Sequence, residues 1–404
     1  MSYNPVYLIM VTAGANNNKY YRMYPSESSF TVEYGRVGNG GFQTATYPIS
    51  QWSKKYNEKI RKGYQDKTNL MADLIIQDKP KTRKYIDIEN TSIAEIVGRL
   101  QRMAKQAISE NYTISSNKVT QAMVDEAQLI LNELCIVNDI VAFNKRLIEL
   151  FFVIPRKMSN VADYLPKEKS DFGKIIQAEQ DLLDVMKGQV VQNIVFENNN
   201  DEVVENNFTI LDEMGLSFSE VDNLDIIKIK SALGQCSGQY RNAWKIENQK
   251  TQSRFSSFVK EEGEICTKLL WHGSRNENWW SIINAGLVLK PTNAVITGKM
   301  FGHGTYFATK ARKSVGYTSL SGSYWARGSS NTAFMGLYDV AYGKPFNVYS
   351  FDPKFYNLNY NELQRYLSGS HCLHAHEGSM LKNDEIIVYR EDQTTIKYLV
   401  EITS

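Results

Sequence analysis

Three apolar runs in the second half of the chain are each interrupted by one polar residue. The interruptions are His272, Tyr306 and Glu385, within the segments Leu269–Arg275, Met300–Ala308 and Leu381–Tyr389. Short runs rich in aromatic and β-branched residues predict buried strands. We therefore expect three strands that each deliver one polar group, and a catalytic cleft is the economical reason for that arrangement.

The first 50 residues show a β pattern of aromatic and β-branched runs. The predicted strands are Val6–Met10, Tyr20–Tyr24 and Phe30–Val37. Asn39-Gly40 is typical of a tight hairpin turn, because both residues accept a positive φ. Ser50 then precedes apolar residues that recur every four positions at Trp52, Tyr56 and Ile60, which predicts a helix capped by Ser50.

The middle of the chain has the spacing of helices. After a predicted linker at Lys84–Thr91, Ser92 with Glu95 has the pattern of a capping box. Further helices are predicted at Asn117–Ile136, Ile140–Phe152 and Ser170–Lys187, and Asn193–Asn207 is predicted to be a polar loop or boundary. The apolar stripes of these helices predict the core of an all-α bundle.

From about Phe208 the pattern becomes strand-rich, with few long helices. The strand-like segments are Lys268–Trp271, Thr332–Val340, Glu385–Tyr389 and Thr395–Ile402. Gly286 is placed to end a helix at Glu277–Ala285. We predict an α+β multidomain protein. It comprises a small β-plus-helix domain at 1–84, a helical bundle at 92–200 and a mixed, mostly antiparallel α+β domain at 208–404.

Composition adds bounds to this picture. The chain has 404 residues, 42% hydrophobic and 22% charged, which is typical of a globular protein of two or three domains. Four scattered cysteines without a Cys-x-x-Cys spacing predict thiols in a reducing compartment. The most apolar run, Leu147–Ile154, is too short to span a bilayer. We expect a soluble intracellular protein with no membrane partner.

The net charge of +2 predicts no polyanion partner globally, but one segment is locally basic. Residues 53–84 contain ten Lys/Arg against four Asp/Glu, interleaved with tyrosines. A solvated helix face is the simpler interpretation, because basic runs are common. A phosphate-contacting surface is the alternative. The candidates for contact with DNA or with another domain are Arg36, Lys54, Lys55, Lys59 and Arg61.

Several familiar sites are absent from the sequence. It has no Rossmann fingerprint, no Walker A loop and no Gly-x-Ser-x-Gly elbow. His371, His374 and His376 lie close together with Cys372 beside them, so a zinc site is conceivable there. On so short a loop, ordinary polar histidines are the favoured interpretation, and we expect no metal.

The residues around the three polar interruptions suit a flat ligand and a sugar reaction. Glycines at 273, 302 and 304 allow close approach of the backbone. Tyr306 and Tyr317 offer ring faces, Ser314 offers a hydroxyl, and Glu385 is the carboxylate that an oxocarbenium-like sugar needs. From spacing alone, a core histidine, a packing tyrosine and an exposed strand charge are the likelier interpretations.

A family resemblance changes that balance. Residues 268–318 and 380–402 resemble the ADP-ribosyltransferase catalytic domain of poly(ADP-ribose) polymerases, and the His-Tyr-Glu signature is complete at His272, Tyr306 and Glu385. Glu33-Tyr34-Gly35-Arg36-Val37-Gly38 resembles the start of the family's WGR domain, although Tyr34 stands where the family has Trp. The helical segment then matches the family's regulatory domain by position.

The resemblance implies that NAD+ is the substrate and assigns residues to it. His272 would bind a ribose hydroxyl, and the Gly273 backbone with the Ser314 hydroxyl would bind the nicotinamide carboxamide. Tyr317 would stack on the nicotinamide, with Tyr306 on the other side of the pocket. The remaining implied contact in this segment is Ser274.

The resemblance assigns Glu385 to the 2′-hydroxyl of the nicotinamide ribose and to the developing positive charge. Lys313 would line the acceptor side, and Lys290–Gly298 corresponds to the family's donor-site loop. Val288 stands where relatives carry a basic residue, so contact to the adenosine half of NAD+ is expected to differ.

The function implied is an NAD+-dependent poly(ADP-ribose) polymerase that modifies proteins, including itself, and elongates the chain. Stimulation by DNA strand breaks, through a helical domain that screens the NAD+ site, is expected, with a role in the DNA damage response. The alternatives are a mono-ADP-ribosyltransferase and a catalytically idle scaffold that binds DNA breaks. Lys79–Lys84 is either a nuclear signal or part of the DNA-facing surface. The expected location is nuclear in a eukaryote and otherwise cytoplasmic.

Overall fold

The computed structural model describes residues 3–38, 41–70, 85–111, 119–197, 208–289, 300–378 and 381–404. These residues divide into two compact units. Described residues up to 70 and from 105 to 190 form the N-terminal unit, and those from 85 to 104 and from 191 onward form the C-terminal unit. The predicted hairpin turn at Asn39-Gly40, the donor-site loop at Lys290–Gly298 and the basic segment Lys79–Lys84 lie outside the described residues.

The N-terminal unit contains a five-stranded antiparallel sheet in the order β4-β3-β2-β1-β5. Its strands are β1 (Val6–Thr12), β2 (Asn17–Pro25), β3 (Ser29–Arg36), β4 (Gln43–Pro48) and β5 (Gln65–Asp66). One face is covered by helix α1 (Trp52–Arg61), whose buried Trp52 packs edge-on against Phe30 with ring centroids 5.1 Å apart. The predicted β-plus-helix module is confirmed.

Two predicted helix caps are wrong. Ser50 lies inside a 3₁₀ turn at Ile49–Gln51, and α1 begins at Trp52 with Gln51 as its N-cap residue and no side-chain cap. The next helix begins at Thr91, and the side chain of Asn90, rather than that of Ser92, accepts the Ile93 N–H at 3.1 Å. The second error arises because several Ser, Thr and Asn residues near a helix start are chemically able to cap it, and the first because the chain forms a 3₁₀ turn before α1.

Four helices occupy the middle of the described chain. They are α2 (Thr91–Asn111), α3 (Gln121–Leu134), α4 (Ile140–Val153) and α5 (Phe172–Glu197). The helix α5 continues through residues 193–197, where a polar loop was predicted. The reason is visible in the sequence, since Val190, Ile194 and their neighbours keep helical spacing beyond Lys187. Part of α2, Thr91 to Ala104, clusters with the C-terminal unit.

The C-terminal unit is built on a nine-stranded sheet in the order β11-β12-β13-β9-β8-β10-β14-β7-β6. Its strands are β6 (Leu216–Glu220), β7 (Tyr240–Asn248), β8 (Thr267–Gly273), β9 (Thr305–Ala308), β10 (Thr332–Ala341), β11 (Pro345–Val348), β12 (Cys372–Ala375), β13 (Glu385–Val388) and β14 (Thr394–Thr403). Among these strands only β11 and β12 pair in parallel, so the mostly antiparallel prediction is confirmed.

Short helices pack against this sheet. They are α6 (Ile210–Met214), α7 (Asn223–Leu233), α8 (Gln249–Glu261), α9 (Trp279–Ala285), α10 (Ala311–Val315) and α11 (Tyr360–Tyr366). The helix α9 ends at Gly286, which has φ of 82°, as the sequence predicted. The central strands β10 and β14 are almost fully buried, and they form the core that supports β8.

One buried ion pair ties the first part of α2 to the sheet. Glu401 on β14 is only 2% exposed. Arg99 donates to its two carboxylate oxygens at 2.7 and 3.3 Å, and the Arg99 guanidinium lies 5.3 Å from the centre of the Phe334 ring. A carboxylate so deeply buried needs this partner, because an isolated charge there is costly.

Two further findings concern the cysteines and the hydrophobicity of the helices. The four cysteines all lie in the described part of the chain, and none of them forms a disulfide. Across the described ranges, no helix combines the length and apolar character needed to cross a membrane.

Candidate active site

The three polar residues singled out in the sequence lie on three neighbouring strands. The sheet order places β13, β9 and β8 side by side, carrying Glu385, Tyr306 and His272 respectively. In the β13–β9 pair, Glu385 lies opposite Ala308 and Tyr306 lies opposite Ile387. Residues two apart on a strand share a face, so Glu385 and Tyr306 lie on the same face of the sheet.

The sheet opens between β8 and β9. These strands pair at one position only, Trp271 opposite Ala308. Immediately beyond that pair, the His272 ring spans the gap, with Nδ1 lying 3.0 Å from the Tyr306 carbonyl oxygen. A carbonyl oxygen only accepts hydrogen bonds, so Nδ1 of His272 carries a proton and donates it to this oxygen.

Aromatic side chains fix the plane of that histidine. The His272 ring lies 5.7, 6.1 and 6.5 Å, centroid to centroid, from the rings of Phe307, Tyr338 and Trp279. All three neighbours are buried. The histidine at this position is therefore packed among buried rings, and its Nδ1 is held by the Tyr306 carbonyl.

The hydroxyl of Tyr306 makes two hydrogen bonds to backbone groups. Its hydroxyl donates to the Gly302 carbonyl at 3.0 Å and accepts the Phe301 N–H at 3.0 Å. Burial raises the pKa of Tyr306 well above its ordinary value, which the Phe301 hydrogen bond only partly opposes, so the phenol is neutral. Tyr389 binds the same segment, since its hydroxyl donates to the Phe301 carbonyl at 2.7 Å.

Gly273 lies where two pieces of backbone touch. A Cβ built on Gly273 would overlap the carbonyl oxygen of Ser314, which is on the short helix α10 and is 4% exposed. The same carbonyl accepts the Tyr317 N–H at 3.0 Å. Glycine is the residue that fits this contact, so the end of β8 and the helix α10 are held in a fixed relation.

Glu385 is a buried carboxylate with one cationic partner. It is 7% exposed at the start of β13, and it forms an ion pair with Lys313 on α10. Burial, and then the nearby charge of Glu385, raises the pKa of Tyr317 to about 12. Two phenols that burial keeps neutral, the His272 imidazole and the Glu385 carboxylate therefore lie on or next to strands β8, β9 and β13. That set can hold a polar ligand and stabilise a positive charge.

Some residues near the site were missed or placed differently. Trp325 stacks on Tyr317, with ring centroids 6.0 Å apart and planes 17° apart, and it is largely exposed. Its only sequence signal is an aromatic residue within a loop rich in Ser and Gly. The hydroxyl of Ser274 accepts from Asn278 at 3.1 Å, which places it at the start of the following helix. Val288 is half exposed.

The basic residues of helix α1 fall into two groups. Lys54 and Arg61 are exposed on α1, whereas Lys55 and Lys59 lie over the tyrosine rings of the sheet. The Lys59 ammonium is 4.2 Å from the centre of the Tyr21 ring and also lies over Tyr34 and Tyr64. Burial and neighbouring lysines lower its pKa. Cation–π contacts thus hold part of the basic surface in place.

Arg36 is directed into the N-terminal unit. Its guanidinium donates to the carbonyl oxygens of Asn16, Met158 and Ser159 at 2.8 to 3.2 Å, and to the Asn16 side chain at 2.9 Å. Beside it, the Asn18 side chain donates to the Arg156 carbonyl at 2.9 Å. Arg36 therefore joins the strand module to the segment that follows α4.

Comparison with known proteins agrees with this geometry. Residues 235–404 match the model of the poly(ADP-ribose) polymerase catalytic domain, and residues 4–70 match that of the WGR domain. The putative poly [ADP-ribose] polymerase-like 100L of Invertebrate iridescent virus 6 is 33% identical over 165 residues, 39% of this chain and 83% of that protein. The chain belongs to the poly(ADP-ribose) polymerase family.

Other relatives extend the likeness along the chain. Poly [ADP-ribose] polymerase 2 of Zea mays is 23% identical over 473 aligned positions, which cover 98% of this chain and 69% of that protein. The uncharacterized protein 101L of Invertebrate iridescent virus 6 is 32% identical over 234 residues, 56% of this chain and 94% of that protein. The enzyme is an NAD+ ADP-ribosyltransferase, as the sequence predicted.

Proposed function

We propose that this enzyme builds poly(ADP-ribose) chains from NAD+ on acceptor proteins, including itself, and that DNA strand breaks stimulate it. The observation that carries the proposal is the Glu385 carboxylate, buried, paired with Lys313, and on the strand next to Tyr306. Mono-ADP-ribosylation and an idle DNA-binding scaffold are the alternatives that the first experiment separates.

The arrangement suits cleavage of the bond between nicotinamide and ribose. Nicotinamide leaves readily because its ring nitrogen becomes neutral as the bond breaks, so the main demand on the enzyme is to orient NAD+ and stabilise positive charge at the anomeric carbon. Glu385 supplies that negative charge and accepts a hydrogen bond from the adjacent ribose hydroxyl. Its ion-pair partner Lys313 lies on the acceptor side.

The remaining residues would hold the two rings of the nicotinamide nucleoside. His272 binds a ribose hydroxyl through Nε2, because Nδ1 is occupied by the Tyr306 carbonyl. The backbone of Gly273 and the hydroxyl of Ser314 bind the carboxamide. Tyr317 stacks on the pyridine ring, and Tyr306 closes the other side. The close approach of Gly273 to Ser314 supports this pairing.

The length of the product tests the proposal. Purified enzyme is incubated with NAD+ labelled in the adenine, with and without nicked DNA, and products are separated by size. We expect a ladder of polymer on the enzyme itself that intensifies with DNA. A single added unit would favour mono-ADP-ribosylation, and no product under any condition would favour the scaffold.

DNA recognition is proposed for the N-terminal unit. The exposed Lys54 and Arg61 and the ring-supported Lys55 and Lys59 form a basic face on α1. Each phosphate contact releases counterions, so affinity for nicked DNA should fall steeply with salt. Replacing Lys54 and Arg61 by Gln should reduce the magnitude of the salt slope by about 1 per lost contact. An unchanged slope would remove this face from the DNA site.

DNA damage in the nucleus, if the source cell has one, is the proposed setting.

Regulation is proposed to act through α2, which is bound to the catalytic sheet by the Arg99–Glu401 pair. A two-state helical segment that DNA biases would screen the NAD+ site at rest. Arg99→Met should raise activity without DNA, and the exposed Arg102→Met on the same helix is the matched control. Equal DNA-free activity in wild type and both variants would count against this restraint.

A further inference from the structure

Two histidines and an aspartate meet at the end of the β12–β13 hairpin. His374 is on β12, His376 follows that strand, and Asp384 immediately precedes β13. One potential ligand atom from each residue lies within 4.8 Å of the others. The two imidazole rings are stacked, with centroids 3.9 Å apart. Such a grouping of nitrogen and oxygen donors matches the ligand types that bind divalent transition metals in proteins.

We propose that His374, His376 and Asp384 bind one zinc ion, with water completing a tetrahedral site. This site is separate from the ADP-ribosyl transfer chemistry and does not depend on the proposed function. Zinc is the ion chosen because two imidazoles and one carboxylate form a common three-ligand set for it. Magnesium and calcium prefer sites made wholly of oxygen.

Each of the three side chains has its other polar atom held by a neighbour. The Tyr342 hydroxyl lies 2.8 Å from Nδ1 of His374, which leaves Nε2 directed at Asp384. The Glu377 N–H donates to Oδ1 of Asp384 at 2.7 Å, which leaves Oδ2 directed at His374. Outer contacts of this kind orient metal ligands and select the ring nitrogen that binds.

The third ligand is held in the same way. Asn347 Oδ1 lies 2.8 Å from Nε2 of His376, and an amide oxygen accepts, so Nε2 carries the proton and Nδ1 carries the lone pair. The Tyr349 ring stacks on His376 with centroids 4.5 Å apart and nearly parallel planes. Imidazole lone pairs lie in the ring plane, so the His376 ring must turn out of its stack with Tyr349 and His374 for both histidines to bind one ion.

The spacing of the inner atoms is close to what zinc requires. His374 Nε2 and Asp384 Oδ2 are 3.0 Å apart. Ligand atoms about 2.0–2.2 Å from a tetrahedral zinc ion stand roughly 3.3 Å from each other. An ion can therefore replace the proton between these two atoms after a separation of a few tenths of an ångström, whereas the His376 donor, placed within 4.8 Å of the other two, must move toward the ion.

The neighbouring residues that the sequence had grouped with these histidines are not part of the site. His371 Nδ1 accepts the Lys344 N–H at 2.9 Å, and its Nε2 faces Glu262 at 3.3 Å. The Cys372 thiol donates to the Tyr342 carbonyl. The carboxylate ligand, Asp384, comes from the other side of the hairpin, so inspection of the histidine cluster alone could not find it.

The experiment uses the full chain, stripped with a chelator, and zinc ion alone as the probe. Titration against a chromogenic zinc chelator is expected to show one tight site per chain in wild type. His376→Ala and Asp384→Asn should lose that site, and Tyr342→Phe should weaken affinity by about 10–100-fold, as loss of a ligand-orienting contact does. Magnesium is expected not to compete.

Two controls keep the result interpretable. Cys266 is an exposed thiol, so Cys266→Ser tests whether zinc binds there instead, and it should bind zinc like wild type. Far-ultraviolet circular dichroism of the metal-free variants confirms that each is folded. Zinc should raise the thermal midpoint of wild type and Cys266→Ser but not of His376→Ala. Failure of folded wild type to bind zinc, or equal binding by wild type and His376→Ala, would overturn the proposal.

Discussion

Strands β8, β9 and β13 and the basic face of α1 hold the side chains of the two proposed sites by different means. Glu385, Tyr306 and His272 are placed by strand register and surrounded by buried neighbours. The exposed Lys54 and Arg61 are placed only by the helix that carries them. Stabilising a charge that develops on one atom requires a partner fixed within a fraction of an ångström.

Attraction to a phosphate backbone makes a weaker demand. Exposed charges act over a Debye length of about 8 Å at physiological salt, so mobile lysines serve as well as rigid ones. The two regions should therefore differ in how strongly a small change of side chain affects activity or binding. A minimal change at the catalytic strands should have a large effect, whereas a larger change on α1 should have a small one.

The largest effect is expected from Glu385→Gln, which removes a charge and keeps the shape of the side chain. Polymer elongation should fall on the order of 10²–10³-fold, as it does when one stabilising group is removed from a transition state, and some NAD+ cleavage should persist. Product length and nicotinamide release are measured together. Glu362→Gln, which changes a partly exposed carboxylate on α11, is the control, and long polymer from Glu385→Gln would refute the assigned role.

Gly273→Ala is expected to be the next largest, because the added methyl overlaps the Ser314 carbonyl. The free energy of unfolding should fall by about 2–3 kcal/mol, the upper part of the range for overpacking, and nicotinamide affinity should fall with it. Gly238→Ala is the matched control, since nothing lies within 4 Å of a Cβ there. Urea unfolding compares the two variants, and equal midpoints would show that the backbone moves to accommodate the added methyl group.

Arg36→Met sharpens the comparison within the N-terminal unit. Losing the donors to the Met158 and Ser159 carbonyls should cost about 1.5–2 kcal/mol of unfolding free energy, in the range for hydrogen bonds to a charged group. Arg61→Met, on the exposed end of α1, should change stability by less than about 0.5 kcal/mol. If the two variants unfold at the same urea concentration, Arg36 would have to be reassigned to the exposed basic surface.

The smallest effect concerns alkaline stability. Burial raises the pKa of Tyr7 to about 12, with Arg22 opposing the rise, and Tyr7 is 4% exposed. As pH rises above about 10, the ordinary pKa of tyrosine, the unfolded chain loses this proton before the folded chain does. The free energy of unfolding is therefore unaffected at neutral pH and falls as pH rises from about 10 to 12. At pH 11 the loss attributable to Tyr7 is about 1 kcal/mol.

Tyr7→Phe removes that loss and keeps the ring under Arg22. The urea midpoint of the variant should therefore fall less than that of wild type between pH 9 and pH 11. Parallel curves for the two proteins would show that Tyr7 ionises in the folded state as easily as in the unfolded one.

The sequence was a good guide to which residues lie on strands and a poor guide to where helices begin. Apolar runs around His272 and Glu385 are a local signal, so their strands were predictable. Caps depend on which of several polar side chains reaches the first N–H groups, and Asn90 took the place predicted for Ser92. The extension of α5 beyond Lys187 shows the same limit at a helix end.

Pairing between distant segments was out of reach of local patterns. The order β13-β9-β8, which brings Glu385 beside Tyr306, is set by the packing of the whole unit. The Lys313–Glu385 ion pair, the stacking of Trp325 on Tyr317 and the direction of Arg36 into the segment after α4 are contacts of the same kind. The family resemblance supplied the grouping of the catalytic residues, which periodicity alone did not.

The single residue pair that joins β8 to β9 has a consequence for turnover. Opening a continuous ladder to admit a dinucleotide would require several interstrand bonds to break in every cycle. Here the ladder already ends beside the His272 ring, so arrival of substrate and departure of nicotinamide leave the strand pairing intact. We therefore expect side-chain and loop motion, rather than separation of strands, to set the speed of each cycle.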